Sequence, residues 1–286
     1  MMSYTFIPLR QFSHAQITAF WNRAFAGHAR DFRKTPESLA LRLQQGHADG
    51  DHSLVLMEQD RFVGLSVFGR MGAAGEILGF GIDPDSRGRS LARRLIEEQV
   101  SQVSSLGLKR FSLEVIAENR AAKRAYEAVG FRPTRDLFYF SGELALPRVL
   151  AHLSPLAAEQ PLPVLSTTLP LFEKHRARLS GPYPASFERS PGYWTAHPGG
   201  AQLRLAGPVE APQALLAARL TDGWLEVADA IGSREGLAAL LLDALRTAPG
   251  CAHLSCVDEP VDSPMTVLLD ELDVDRTRWT EMLLGG

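Results

Sequence analysis

The chain has 286 residues, 45% of them hydrophobic and 22% charged, with a net charge of −3. Its length allows two domains with cores of their own, and its longest apolar runs, such as 237–242, fall far short of the ~20 residues that span a bilayer. The first residues, Met1-Met-Ser-Tyr-Thr-Phe-Ile-Pro, show no basic stretch followed by an apolar one, so we expect no signal peptide and a cytoplasmic location.

Residues 1–150 hold 20 Lys and Arg against 16 Asp and Glu, whereas 151–286 hold 10 against 17. A mildly basic first half suits a polyanionic small molecule. A nucleic-acid domain would show a denser basic stripe, so no nucleic-acid partner is expected. The acidic second half reads as solvated surface. Cys251 and Cys256 stand alone, without the spacing or the His partners of a metal site, and read as buried free thiols.

In chain order, 5–10 reads as a strand. Ser13 caps a helix whose Ile17, Phe20, Trp21, Ala24 and Phe25 recur near every 3.6 residues. Pro36 opens a second helix that stops near Gly46. Residues 53–57 and 62–68 form a hairpin around Asp60 and Arg61, Gly72-Ala-Ala-Gly75 turns the chain, and 76–83 is a further strand. The pattern then changes. Leu91, Leu95, Ile96, Val100 and Val103 mark a helix ended by Gly107, followed by a strand at 109–117 and a helix at 119–129. Two strands, 131–135 and 137–144, close the series. The fold class is therefore α/β, with a mixed sheet that is antiparallel first and crossed by helices later.

Residues 147–163 carry four prolines and little periodicity, and we read them as a linker between a first domain at 1–146 and a second at 164–286. In the second domain, 168–179 reads as a helix, 202–205, 214–220 and 224–231 as strands, 234–246 as a helix, 251–257 as a strand and 264–272 as a helix. Its later elements follow the order of those in the first domain. An internal repeat with a diverged second copy is expected.

Two segments carry chemistry. Arg87-Gly-Arg-Ser-Leu-Ala92 follows a strand and opens a helix, so its backbone N–H groups and the helix dipole converge on one spot that suits a phosphate. Downstream, Asn119 precedes Ala122, Tyr126 and Gly130-Phe131 at helical spacing, which aims one phenol inward.

Together these segments resemble the N-acetyltransferases of the GNAT superfamily. The first fits that family's Q/R-x-x-G-x-G/A pyrophosphate pattern with Ser90 in place of the first Gly of its G-x-G/A part; the second fits its N-x-x-A-x-x-x-Y-x-x-x-G-F helix. The resemblance covers about half the chain, and two tandem GNAT-like domains fit the repeat. It implies acetyl-CoA as co-substrate, no metal, and direct acetyl transfer to the primary amine of a small molecule or peptide by a monomer or homodimer. The cofactor-binding residues would be Gly81, Ile82, Arg87, Gly88, Arg89, Ser90, Leu91, Ala92, Asn119 and Tyr126. Ser90 is expected in a helical first-turn conformation.

Tyr126 would be the general acid that protonates the departing thiolate. Glu114, at the spacing used by the ribosomal-protein alanine acetyltransferases, is preferred as general base over Glu76, which begins the preceding strand. The second half lacks both patterns, and Glu235 at its strand–helix junction opposes a phosphate. It is expected not to bind the cofactor in the same way. An aromatic group of Tyr183, Phe187, Tyr193 and Trp194 with Arg189 reads as packing, with an acceptor-site wall as the alternative. A non-enzymatic acyl-CoA sensor, or transfer of a longer acyl group, are the competing readings.

Overall fold

A computed structural model describes residues 4–28, 30–181, 184–248 and 250–285. The chain runs β1 (Tyr4–Pro8), α1 (His14–Ala24), α2 (Pro36–Gln45), β2 (Leu54–Glu58), β3 (Arg61–Met71), β4 (Ala74–Ile82), α3 (Leu91–Val103), β5 (Arg110–Ile116), α4 (Arg120–Glu127) and β6 (Phe131–Glu143). It continues through α5 (Leu146–Glu159), β7 (Val164–Ser166), α6 (Leu169–Leu179), α7 (Pro191–Thr195), β8 (Gln202–Ala206) and β9 (Ala214–Thr221). It ends with β10 (Trp224–Gly232), α8 (Arg234–Arg246), β11 (His253–Pro260), α9 (Pro264–Glu271) and β12 (Arg276–Leu284).

Two compact units result. The first comprises Met1–Arg135 with Thr280–Gly286, and the second Asp136–Trp279. This division differs from the boundaries expected at 146 and 164, since it falls inside β6 and inside β12.

In the first unit the strands lie in the order β1-β2-β3-β4-β5-β12-β6. The sheet is antiparallel from β1 to β4, and β4 then pairs parallel with β5. Helices cover both faces. Ile77, Phe111, Leu113 and Val115 pack with Ile96 and Val103 of α3 and Tyr126 of α4. On the other face α1 approaches β4 so closely that a Cβ on Gly79 would stand 2.3 Å from the Trp21 ring, and one on Gly81 2.9 Å from the Ala24 methyl. Glycine at 79 and 81 is thus required by packing. Strand β12 is held by charge: Glu281 accepts from Arg110 and from Arg135, and Lys123 donates to Thr280 at 2.8 Å.

In the second unit the order is β12-β6-β11-β10-β9-β8-β7. Its core joins Leu216, Leu225 and Leu254 of the sheet to Leu237, Leu240 and Leu241 of α8, with Val149 and Leu153 of α5 packed alongside.

Three sequence expectations change. Residues 147–163 are not an irregular linker: Leu146–Glu159 is a helix that buries Val149, Leu153 and Leu156. Pro147 sits in its first turn, where the missing N–H costs no bond, and only Pro155 interrupts the interior. Phe131–Glu143 form one strand: Pro133 lies at an exposed position, before β6 begins to pair with β11 at Leu137, and does not break it. The terminal strand β12 is not apparent in the sequence, since its alternation is masked by Arg276, Arg278 and Glu281.

Candidate active site

The site of the first unit begins with a fault in the sheet. Between β3 and β4 the register shifts, Val67 facing Gly79 while Phe68 faces Ile77, so Leu78 is an extra residue on β4. A bulge of this kind bends and twists its strand. On the far side, β4 pairs with β5 only over Ala74–Ile77 and Arg110–Leu113. Beyond Leu78 the two parallel strands part and leave a wedge. The Asp83 N–H donates to the Val63 carbonyl at 2.8 Å on the β3 side. By the two-residue alternation of a strand, the backbone of Ile82 and Phe80 therefore faces the wedge, while that of Gly81 faces β3. An extended chain of amides could pair there as an added strand does.

At the wide end lies the loop before α3. Gly88 has φ +77° and Ser90 φ +57°. This corrects the expectation for Ser90: it is left-handed, not helical, and fills the glycine position in the conformation that glycine favours. Two left-handed residues flanking Arg89 turn successive N–H groups toward one concavity. Among the described residues no acceptor takes the backbone N–H of Gly88, Ser90, Leu91 or Ala92. The space above Gly88 is open, with nothing within 4 Å of a Cβ built there. These groups and the start of the 13-residue α3 form an anion cradle.

The two arginines of the loop act on the protein. Arg87 donates from Nε to the Ile82 carbonyl at 3.1 Å and from Nη2 to Ala24 and Ala26 at 3.2 and 2.9 Å. It thereby ties the cradle to the end of α1. Arg89 donates to Glu58 and to the Tyr4 hydroxyl. Hydrogen bonds from Arg89 and then Arg61 hold the Glu58 carboxyl down to about 2.

Tyr126 stands in α4, 5% exposed, with its ring 5.5 Å from that of Phe80 and edge-on to it. No partner for its hydroxyl occurs among the described residues, and burial pushes its pKa up. Asn119 caps α4, its Oδ1 accepting from the Ala122 N–H at 3.1 Å. Glu76 lies in the paired part of the strands, buried, and accepts the hydroxyl proton of Ser112 opposite it. Glu114 is half-buried on the face that Ser112 shares, one residue past the last pair. Phe111, Leu113 and Val115 point to the opposite face, with Tyr126. Tyr126 and Glu114 thus lie on opposite faces of the sheet, Glu114 just past the last β4–β5 pair, and Glu76 sits farther down, where the strands still pair.

The second unit repeats the fault. Its β10 pairs parallel with β11 only over Trp224–Val227 and His253–Cys256, and Ala228 is the extra residue opposite β9. Here the wedge is filled. Arg189, 4% exposed, donates to the Ala230 carbonyl on β10 and to the Asp258 carbonyl on β11 at 3.4 Å, and it pairs with Asp229 and Glu259. Burial opposes its charge, but Glu259 and Asp229 outweigh that and raise its pKa. In the sequence Arg189 groups only with aromatics, and a lone Arg beside Ser190-Pro191 carries no signal of the two carboxylates it meets. Of those aromatics, Trp194 is core, its ring 5.8 Å from Phe172, and Phe187 packs 6.3 Å from Tyr193. Tyr183 lies outside the described residues. Both thiols are free and buried, as read from the sequence.

Comparison with known proteins agrees with this picture. Residues 16–131 match the acetyltransferase (GNAT) family. A mycothiol acetyltransferase of Beutenbergia cavernae is 34% identical over 116 residues, which are 39% of this chain and 38% of that protein. One from Thermobispora bispora is 32% identical over 145 residues, 46% of this chain and 49% of its own length. The chain therefore spans less than half the length of these relatives. A tandem GNAT protein from the clavulanic acid biosynthesis pathway shares the fold over 99% of both chains, with a TM-score of 0.65 at 14% identity.

Proposed function

We propose that this tandem GNAT protein transfers an acetyl group from acetyl-CoA to a primary amine, and that its first unit does the chemistry. The observation that carries the reading is the open wedge of that unit, lined by strand backbone and ending in a cradle of unused N–H groups. Acetyl-CoA supplies an activated acetyl thioester together with a pyrophosphate. The N–H groups of Gly88, Ser90, Leu91 and Ala92 bind the pyrophosphate, aided by the α3 dipole. Arg87 and Arg89 hold that loop in shape through the protein contacts described above. The backbone of Phe80 and the Asn119 side chain pair with the amide-bearing arm.

The Ile82 N–H faces the wedge and stabilises negative charge developing on the thioester oxygen. A donor of this kind contributes ~3–4 kcal/mol in other enzymes. Glu114 takes a proton from the incoming ammonium, and Tyr126 gives one to the departing sulfur. The raised pKa of Tyr126 keeps its phenol protonated at neutral pH, as a proton donor must be. Glu114 is preferred to Glu76 because it stands where the strands have parted, and because Glu226 of the second unit occupies the register position of Glu76 while paired to Arg219. That the relatives are mycothiol acetyltransferases supports acetyl transfer.

The test is thiol release from acetyl-CoA across a panel of peptide N-termini, aminoglycosides, polyamines and amino acids, with calorimetry of acetyl-CoA binding beside it. One site per chain and amine-dependent release are expected. One site with no release for any amine would replace the enzyme by an acyl-CoA sensor, and two equivalent sites would overturn the assignment to the first unit.

A further inference from the structure

The second unit has closed its wedge but kept a cavity. Arg189 bonds the backbones of both parted strands, so no added chain can pair there, and α8 begins directly after Gly232 and Ser233 with no loop to cradle a pyrophosphate. Beside this plug lies a cavity of about 550 Å³, walled by residues of α6, β10, α8, β11 and α9. That volume lies within the ~300–1,000 Å³ usual for small-molecule sites.

Its polarity is uneven. Arg176 and Arg189 share the carboxylate of Asp229, and Arg189 also faces Glu259. Arg178 has no carboxylate among the described residues; it donates only to the carbonyls of Glu210 at 3.1 Å and Pro212 at 3.4 Å. Those bonds bring it next to Gln213, whose carbonyl accepts the Ser233 N–H at 2.9 Å at the start of α8. One end of the cavity thus gathers an uncompensated guanidinium, and the rest of its wall includes Leu179, Ile231, Leu237 and Met265.

We propose that this cavity binds a small amphipathic anion, a carboxylate or phosphate monoester on an apolar body, with its head at Arg178. The positive end selects the head and the aliphatic wall takes the body. Acyl-CoA is excluded by Arg189 and by Glu235, which stands in the first turn of α8 where a pyrophosphate would lie. The proposal is independent of acetyl transfer by the first unit, since its readout is binding alone.

The full chain, saturated with acetyl-CoA, would be titrated calorimetrically with octanoate, octyl phosphate and octanol. At least one of the two anions should saturate at one per chain and bind at least tenfold tighter than octanol; the tighter anion identifies the head group. Arg178→Gln, at an exposed position, should weaken the anions at least tenfold and leave acetyl-CoA affinity unchanged. Met265→Trp should abolish anion binding by filling the cavity. Equal binding of octanol, an Arg178→Gln protein that binds like wild type, absence of saturable binding, or displacement of the anion by further acetyl-CoA would each overturn the proposal.

Discussion

The two wedges are one construction with two endings. In each unit a single extra residue, Leu78 or Ala228, bends the strand, and the parallel pair holds for the four residues before it and then parts. In each, a polar cap starts the helix that follows the second strand: Asn119 before α4, Ser263 before α9. The opening is therefore a property of the backbone fault. What fills it is a property of side chains. The first unit leaves the strand edges bare and places a left-handed loop at the mouth; the second bridges the edges with Arg189 and lets α8 start at once. Seven residues after the cap, the first has Tyr126 and the second Asp270. A fold can thus keep its opening after the residues that make it useful have gone.

The largest effect that would sharpen this contrast is at Tyr126. Tyr126→Phe should lower turnover by ~10²–10⁴-fold, the range of general acid catalysis, and leave acetyl-CoA affinity within a few-fold of wild type. Because burial raises the phenol's pKa, no alkaline loss of activity below about pH 10, the ordinary tyrosine value, should belong to it. Near wild-type turnover in single-turnover assays would make the phenol a core ring and remove the chief difference between the units.

Next comes Arg189. Its removal leaves Asp229 and Glu259 buried without their cation, which costs about 3–5 kcal/mol in comparable pairs. Arg189→Ala should lower the unfolding free energy of the second unit by that amount in denaturant titrations. It should still show one acetyl-CoA site per chain, because unplugging the wedge does not create a cradle. A second site appearing in this variant would mean that the plug alone separates the two units.

The loop before α3 and the α4 helix were legible in the sequence because they depend on near neighbours: glycine and small residues at a strand–helix turn, and a cap followed by 3.6-residue spacing. The sheet fault was not, since a bulge shows only when the partner strand is known. Neither was Arg189, whose partners lie 40 and 70 residues away along the chain. Helix α5 was hidden by prolines that the first turn tolerates, and β12 by charges that find Arg110 and Arg135 only in the folded unit. What sequence reading missed was, in each case, long-range pairing.

A smaller effect separates the two glutamates. Glu114→Gln should abolish the rise of activity from acidic to neutral pH and lower the plateau at least tenfold, because an amide cannot accept the ammonium proton. Glu76→Gln should leave the rising limb in place and change turnover little, since the amide oxygen can still accept from Ser112. The reverse ranking, read from pH–rate profiles of the two variants, would move the base down into the paired strands, to a position the second unit also keeps as Glu226.

The smallest effect concerns Ser90, whose φ of +57° is a conformation that costs a non-glycine residue about 1–2 kcal/mol. Glycine there would relieve that strain and give back roughly 0.5–1 kcal/mol through its freer unfolded chain. Ser90→Gly should therefore stabilise the protein by about 0.5–1 kcal/mol in urea unfolding and leave acetyl-CoA affinity unchanged, since the backbone N–H stays where it was. Ser90→Val should do the opposite on both counts, because a β-branched side chain disfavours the left-handed region and would pull the N–H groups of the cradle out of line. Should Ser90→Val bind acetyl-CoA as well as wild type, the left-handed turn is not what holds the pyrophosphate.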